Sequence, residues 1–107
     1  MRMALSTCPP EHAERIADDL LRLHLVACVN IIPGANSRYW WEGAIQSESE
    51  SILIMKTRAE HIPALTRALQ DIHPYEVPEL ITFQIQEGSQ DYLDWLTQST
   101  VLPENPS

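Results

Sequence analysis

The chain has 107 residues and a formal net charge of −8 at neutral pH. This length predicts a single domain over residues 1–107, with residues 101–107 as a frayed tail. A surface this acidic repels phosphate backbones and anionic lipids, so the charge disfavours nucleic acid and membrane surfaces as partners.

A short strand is predicted over residues 1–7, where the bulky apolar residues Met1, Met3 and Leu5 occupy alternate positions. Pro9-Pro10-Glu11 then indicates the start of a helix, because the first turn of a helix accepts both proline and an acid. The apolar residues that follow at helical spacing predict the buried side of this helix, and they are Ala13, Ile16, Ala17 and Leu20.

A long β-hairpin is predicted over the stretch from Ala27 to Arg58. Its first strand alternates, pauses at Pro33-Gly34 and then resumes, and the turn is expected in the polar run Gln46 to Glu50. Its second strand, Ile52 to Met55, is apolar on both faces, as a central buried strand should be. Arms this long, edged with tyrosine and tryptophan, need a cover, and the simplest cover is another copy of the chain.

A second helix is predicted from about Ala59 to Ile72, with apolar residues on one face. Pro74 ends this helix, and it favours an extended conformation for His73 before it. The last strand is predicted from Val77 to Gln86, with inward-facing side chains at Ile81, Phe83 and Ile85.

A turn with a helix cap at Gly88-Ser89 precedes a third predicted helix, Gln90 to Thr100. The element order β-α-β-β-α-β-α predicts an α+β, ferredoxin-like sandwich with a long central hairpin and an extra C-terminal helix. Right-handed crossovers place both long helices on one face of the sheet, so the other face requires a cover. RNA-recognition modules share this order, but ESILIMKTR lacks their basic, aromatic strand pattern.

Four stretches, ACVNIIPGANSRYWWEG, ILIMKT, HPYEVPEL and DYLDWL, resemble the CutA family of divalent-cation tolerance proteins. The resemblance runs from about Leu5 to Ser99. It implies a homotrimer in which the long hairpins wrap around neighbouring subunits. It also implies a cytoplasmic protein linked to tolerance of divalent metals, copper in particular, with a shape similar to that of the trimeric PII signalling proteins. The resemblance implies no reaction, so an enzyme is not expected.

Two residues are candidate ligands for a divalent metal such as Cu²⁺. Copper-holding members of the family are associated with a cysteine on the first strand and paired histidines before Pro-Tyr. Here Ser6 and Ile72 stand at two of those positions, and His73 matches the third. Cys8 lies two residues further along, at the predicted opening of the first helix, where the dipole can activate a thiol. The alternatives are a helix-ending histidine and a small buried thiol.

Aromatic and acidic residues in two stretches predict a ligand cleft or a subunit interface, and they are Tyr39, Trp41, Glu42, Tyr75, Glu76 and Glu79. A small enzyme that uses the turn from Tyr75 to Glu79 together with Cys8 is a further hypothesis. Cys28 is assigned to the core. Three other histidines are assigned to the solvated surface, namely His12, His24 and His61.

The favoured function is a trimeric cytoplasmic protein of divalent-metal tolerance, with a metal ion or small ligand at the subunit junctions. The first residues lack the length and cleavage site of a signal peptide, and two cysteines are too few for a disulfide framework. The alternative is a non-catalytic PII-like signalling or scaffold trimer that has no metal site of its own. An unknown protein partner is compatible with both hypotheses.

Overall fold

The computed structural model describes residues 1–102, so residues 103–107, most of the predicted tail, lie outside the described part of the chain. Within residues 1–102 the elements are β1 (Arg2–Cys8), α1 (Ala13–Arg22), β2 (Cys28–Trp41), β3 (Ala44–Thr57), α2 (Ile62–Ile72), β4 (Ile81–Gln84) and α3 (Gln90–Ser99). Single turns of 3-10 helix precede α1 and α2, and these are Pro10–His12 and Ala59–His61.

The strands form one sheet in the order β2-β3-β1-β4, and every neighbouring pair is antiparallel. In this order β1 lies beside β3 and β4, while the long hairpin places β2 at the edge. The arrangement is that of the ferredoxin-like plan, which confirms the predicted fold class. None of the helices in residues 1–102 combines the length and the hydropathy that a bilayer-crossing helix requires.

One face of the sheet packs against α1 and α2. Alternate residues of β1 and β3, such as Ala4 and Leu53, are fully buried there against Ile16 and Leu20 of α1 and Leu65 of α2. Burial of each large apolar side chain of this kind stabilises the fold by about 1.5–3 kcal/mol. The buried stripe predicted for α1 is confirmed, because all four of its members are buried.

The opposite face of the sheet, which we call the open face, carries apolar side chains away from α1 and α2. Strand alternation and pairing place seven such residues on it, and these are Met3, Leu5, Ile32, Ile52, Ile54, Ile81 and Phe83. Ile81 and Phe83 are 49% and 48% exposed, so their predicted inward orientation is wrong for the single chain. The reason is that they pair with Leu5 and Met3, which already face away from the helices.

The hairpin turns at Glu42-Gly43, so the predicted turn in Gln46 to Glu50 is wrong. Glu42 and Gly43 have φ values of 51° and 79°. Two consecutive positive φ values are what a two-residue type I′ turn requires, and this turn matches the twist of the strands that it joins. The polar run Gln46 to Glu50 therefore belongs to β3, where it pairs with Ala35 to Tyr39.

A β-bulge at Pro33-Gly34 interrupts β2, at the pause that the sequence predicted. Ile32 pairs with Ile52 and Ala35 pairs with Glu50, so two residues lie opposite one. Gly34 has a φ of 83°, a conformation that glycine adopts without a steric penalty. Since β1 ends at Cys8, opposite Ser51, the hairpin beyond the bulge extends past the sheet. We call this outer part, residues 35–50, the arm.

The C-terminal end of α3 is fixed by residues that follow β3. Arg58 donates from Nε to Thr100 Oγ1 at 2.9 Å and from Nη2 to the Thr97 carbonyl. His61 donates from Nε2 to the Thr100 carbonyl. Terminal helix carbonyls lack intrahelical donors and carry partial negative charge, so these contacts stabilise the helix end. His61 is only 7% exposed, and its predicted surface location is therefore wrong.

Candidate functional site

A cavity of about 690 Å³ opens where the arm leaves the sheet. This volume falls within the range of about 300–1,000 Å³ that is usual for small-molecule sites. The cavity lies between the arm and the segment that follows α2. Its lining residues are Thr7 of β1, Ser37, Arg38, Tyr39, Trp41 and Glu50 of the arm, and Pro74, Tyr75, Glu76, Val77 and Glu79 of that segment.

The bulge determines which side of the arm faces this cavity. Before the bulge, even-numbered residues of β2 such as Ile32 lie on the open face. After it, odd-numbered residues take that side, because the extra residue reverses the alternation of β2 relative to β3. Tyr39 and Trp41 therefore share one face with Glu50, and this face continues the open face of the sheet.

Glu50 is a buried carboxylate that lines the cavity. It is 4% exposed, and its Oε2 accepts a hydrogen bond of 2.8 Å from Tyr75 Oη. The ion pairs found in residues 1–102 join Asp19 to Arg15 and Arg22, so within that range Glu50 has no basic partner at salt-bridge distance. A buried carboxylate without a cation is held at a cost of several kcal/mol.

The phenols of the cavity are protonated at neutral pH. Burial, the hydrogen bond to Glu50 and the negative charge of Glu50 raise the pKa of Tyr75 above its usual range. Burial and the charges of Glu48 and Glu50 raise the pKa of Tyr39 as well. The formal charge of the cavity therefore comes from three carboxylates against one guanidinium, that of Arg38.

His73 ties the segment after α2 to the sheet. Its Nε2 lies 2.7 Å from the Thr7 carbonyl, and its Nδ1 lies 3.0 Å from the Tyr75 amide nitrogen. A carbonyl only accepts and an amide only donates, so Nε2 carries the proton and Nδ1 accepts. The ring also packs against Tyr75 with a centroid distance of 4.7 Å. His73 thus orients the Tyr75 phenol towards Glu50.

Cys8 is the last residue of β1 and is fully buried, so its predicted position at the opening of a helix is wrong. Burial, followed by the negative charge of Glu50, raises the pKa of the Cys8 thiol. Cys28 begins β2 and lies 3.9 Å from Tyr92 Oη. β3 separates the two cysteine-bearing strands, and both thiols are free.

His73 and Cys8 do not fit a copper site or another divalent-metal site of their own. Both imidazole nitrogens of His73 bond to the backbone, and a metal ligand needs one of them free. The Cys8 thiol is buried and held in its protonated form, whereas metals bind the thiolate. The described part of the chain, residues 1–102, contains no group of three His, Cys, Asp or Glu residues arranged to hold a metal.

Most of the residues predicted for the cleft meet in this cavity. Tyr39, Trp41, Tyr75, Glu76 and Glu79 all line it, and their function as a ligand site stays a prediction. Glu42 does not line it, because the hairpin turns earlier than predicted and Glu42 lies at the tip of the arm.

Sequence reasoning missed Arg38 and Glu50 as cavity residues. The sequence predicts Glu50 in the hairpin turn, although the structure buries it opposite Ala35. The available signal was the dipeptide Glu42-Gly43 between two alternating stretches, because a two-residue turn there places Glu50 well inside the hairpin.

The comparisons with known proteins agree on one family. The family described as CutA1 divalent ion tolerance protein matches residues 2–99. Protein CutA 1, chloroplastic, from Oryza sativa is 46% identical over 90 residues, which cover 84% of this chain and 51% of the rice protein. The chain therefore spans about half the length of that relative.

Solved structures share the fold over nearly the whole chain. The divalent cation tolerance protein (Cut A1) from Thermus thermophilus superposes with a TM-score of 0.91 at 41% identity, covering 94% of this chain and all of the other. The PII-like protein CutA from Nostoc sp. PCC 7120 in apo form gives a TM-score of 0.89 at 39% identity, covering 96% of this chain and 100% of the Nostoc chain.

Proposed function

Because the chain belongs to the CutA1 divalent ion tolerance family, we propose that it acts in tolerance of divalent metals, copper included, as a non-catalytic homotrimer. In this proposal each subunit junction contains the cavity between the arm and the segment after α2, and a small ligand binds there. The observation that carries the proposal is the continuity of the cavity with the exposed apolar open face.

Self-association is supported by the apolar surface that a single chain exposes. Phe83 and Ile81 on the open face are about half exposed, and on the arm Trp40 and Ile45 are 73% and 63% exposed. Trp40 and Ile45 lie on the side of the hairpin away from the open face, so the chain exposes two apolar patches, and patches of this kind mark protein interfaces. A neighbouring copy that covers the open face also borders the cavity, so the complete site includes residues of two subunits. The number three rests on the family resemblance.

A small ligand accounts for the cavity better than a metal held by His73 and Cys8. The two ring nitrogens of His73 already have backbone partners, and the Cys8 thiol is buried. The cavity, in contrast, has the size, the aromatic walls and the few convergent polar groups of an organic ligand site. In this proposal the protein contributes to copper tolerance by responding to a ligand.

A second candidate function is PII-like signalling or a scaffold role without any metal site of its own. The likeness to the Nostoc protein, which is described as PII-like, favours it. Both candidates require a trimer and a cytoplasmic location, which we also propose, although the rice relative is described as chloroplastic. They differ in the phenotype of a strain that lacks the gene, since copper sensitivity is expected from the first candidate alone.

The test combines measurements of the oligomeric mass, of copper binding and of growth in raised copper. Light scattering is expected to give three times the 12.2 kDa of one chain, and a single-chain mass at micromolar concentration would overturn the trimer and its junction site. Calorimetric titration with Cu²⁺ is expected to show no site that depends on His73, tested with His73→Gln. Normal growth of the deletion strain in raised copper would leave only the signalling candidate.

A further inference from the structure

The cavity pairs a buried negative charge with aromatic walls. Glu50 is only 4% exposed, and it has no basic partner at salt-bridge distance in residues 1–102. Its hydrogen bond from the Tyr75 phenol satisfies part of the carboxylate but supplies no positive charge. Charge balance at Glu50 therefore favours a ligand that brings a cation.

The walls indicate which kind of cation fits. Tyr39, Trp41 and Tyr75 line the cavity, and aromatic faces attract weakly hydrated organic cations within about 6 Å of the ring centre. A divalent metal ion prefers several oxygen, nitrogen or sulfur ligands, and no such cluster of His, Cys, Asp or Glu occurs in the described residues. An anion would meet the carboxylates of Glu50, Glu76 and Glu79, which outnumber the guanidinium of Arg38.

We propose that the ligand of this cavity is a small organic ammonium compound whose cationic group lies beside Glu50, among the rings of Tyr39, Trp41 and Tyr75. This inference rests on the proposed ligand function of the cavity and specifies its chemical class. Glu76 and Glu79 lie at the cavity surface and attract the cation, while Arg38 binds an acidic or hydroxyl group elsewhere on the same molecule.

The hydrogen bond between Tyr75 and Glu50 prepares the cavity for this ligand. His73 holds Tyr75 through its amide and its ring, and the phenol donates to Oε2 of Glu50. A donor from the ligand can add to the same carboxylate, because an ionised carboxylate accepts several hydrogen bonds. The Tyr75 ring then remains in place as one wall of the site.

The experiment is a calorimetric titration of the full chain with choline chloride and with its uncharged carbon isostere, in which a tert-butyl group replaces the trimethylammonium group. Choline is expected to bind about tenfold more tightly than the isostere. Glu50→Gln keeps the size and the acceptor for Tyr75 but removes the charge, and it should weaken choline binding about tenfold or more. Glu87→Gln, an exposed change of the same charge outside the cavity, should leave binding unchanged.

A second variant tests the aromatic wall. Tyr39→Leu keeps an apolar side chain and should weaken choline binding several-fold without weakening the isostere. Equal binding of choline and the isostere, or no effect of Glu50→Gln, would overturn the inference. Copper binding that Glu50→Gln abolishes, with no choline binding, would overturn the organic cation but retain a cavity that binds a ligand.

Absence of choline binding to a confirmed trimer would overturn the organic cation alone, because the proposed ligand site does not depend on that chemical class. The same result is expected if a lysine or arginine of a neighbouring copy occupies the position beside Glu50. The oligomeric mass of each variant is measured in parallel, so a loss of binding through loss of assembly is recognised directly.

Discussion

His73, Tyr75 and Glu50 are connected by hydrogen bonds at one end of the sheet. His73 bonds to the carbonyl at the end of β1 and to the Tyr75 amide, and Tyr75 in turn donates to Glu50. Each of the three side chains thereby has a hydrogen-bond partner away from bulk water, although the negative charge of Glu50 has no basic partner in residues 1–102. The same bonds explain why His73, the residue that most resembles a metal ligand in the sequence, has a positioning role.

The raised pKa of Tyr75 predicts a loss of stability at alkaline pH. In the unfolded chain the phenol ionises near its ordinary value of 10.0, whereas in the folded chain it keeps its proton to a higher pH. The unfolded state therefore binds fewer protons above that value, so the contribution of Tyr75 to the free energy of unfolding is constant below it and falls above it. Urea unfolding at about pH 8 and about pH 11 measures this fall.

Tyr75→Phe should reduce the alkaline fall and also lower stability at neutral pH by about 1–3 kcal/mol, because Glu50 loses its donor. Tyr39→Phe is the matched control, since Tyr39 is 39% exposed and bonds to no buried carboxylate among the described contacts. An equal loss of neutral-pH stability in both variants would contradict the importance of the Tyr75–Glu50 bond.

At the scale of elements, sequence patterns correctly predicted the features that depend on residues close together in the chain. The apolar stripe of α1, the end of α2 before Pro74 and the cap at Ser89 are all confirmed, because each depends on neighbours in the chain. The position of the hairpin turn was missed because strand pairing, and not local polarity, decides which residues of a polar run lie in a strand. The burial of His61 was missed because its partner, Thr100, is distant in sequence.

The turn of the arm should be sensitive to a side chain at Gly43. Its φ of 79° is unfavourable for other residues, so Gly43→Ala should destabilise the arm by about 1 kcal/mol. Hydrogen exchange at the amides of Tyr39 and Gln46, a hydrogen-bonded pair of the arm, measures the effect. Gly88→Ala is the control, because Gly88 lacks a positive φ and a Cβ there would lie 3.4 Å from Leu93 Cδ2. Faster exchange in both variants would contradict the turn geometry.

The contacts of Arg58 predict a specific loss at α3. Arg58→Ala leaves the Thr97 carbonyl and Thr100 hydroxyl without this donor, and it should lower the free energy of unfolding by about 1 kcal/mol. Exchange of amides in the last turn of α3 should increase most. Arg67→Ala, at an exposed position of α2, should change neither quantity. Unchanged exchange in α3 would show that Arg58 does not fix this helix.

At the scale of the whole molecule, the sequence indicated that one face of the sheet needs a cover but placed Ile81 and Phe83 in the wrong environment. From the sequence alone, a strand of the core cannot be told from a strand of a subunit interface, because both have apolar residues at alternate positions. The cavity, too, was only partly predictable from the sequence. Tyr39 and Tyr75 indicated an aromatic surface, but the carboxylate between them required the strand register.

Assembly should depend on the open face. Phe83→Lys introduces a charge beside Met3, and it should convert the proposed trimer into single chains, measured by light scattering at micromolar concentration. Leu23→Lys is the matched control, because Leu23 is similarly exposed, at 49%, but lies at the end of α1. A Phe83→Lys variant that keeps the mass of the native protein would show that the open face is not the interface.

Because of the bulge at Pro33-Gly34, deletion of Gly34 should disturb the hairpin less than its replacement by valine. Removing Gly34 leaves Ile32 opposite Ile52 and Ala35 opposite Glu50, so the strand becomes regular and Tyr39 keeps its side. The substitution Gly34→Val instead makes the backbone conformation with a φ of 83° unfavourable by about 1–2 kcal/mol. It therefore favours a slipped hairpin, in which the bulge is absent and the pairing of β2 shifts by one residue. In that slipped hairpin Arg38 and Trp40 would replace Tyr39 and Trp41 beside Glu50, and the proposed preference of the cavity for positive charge would be lost.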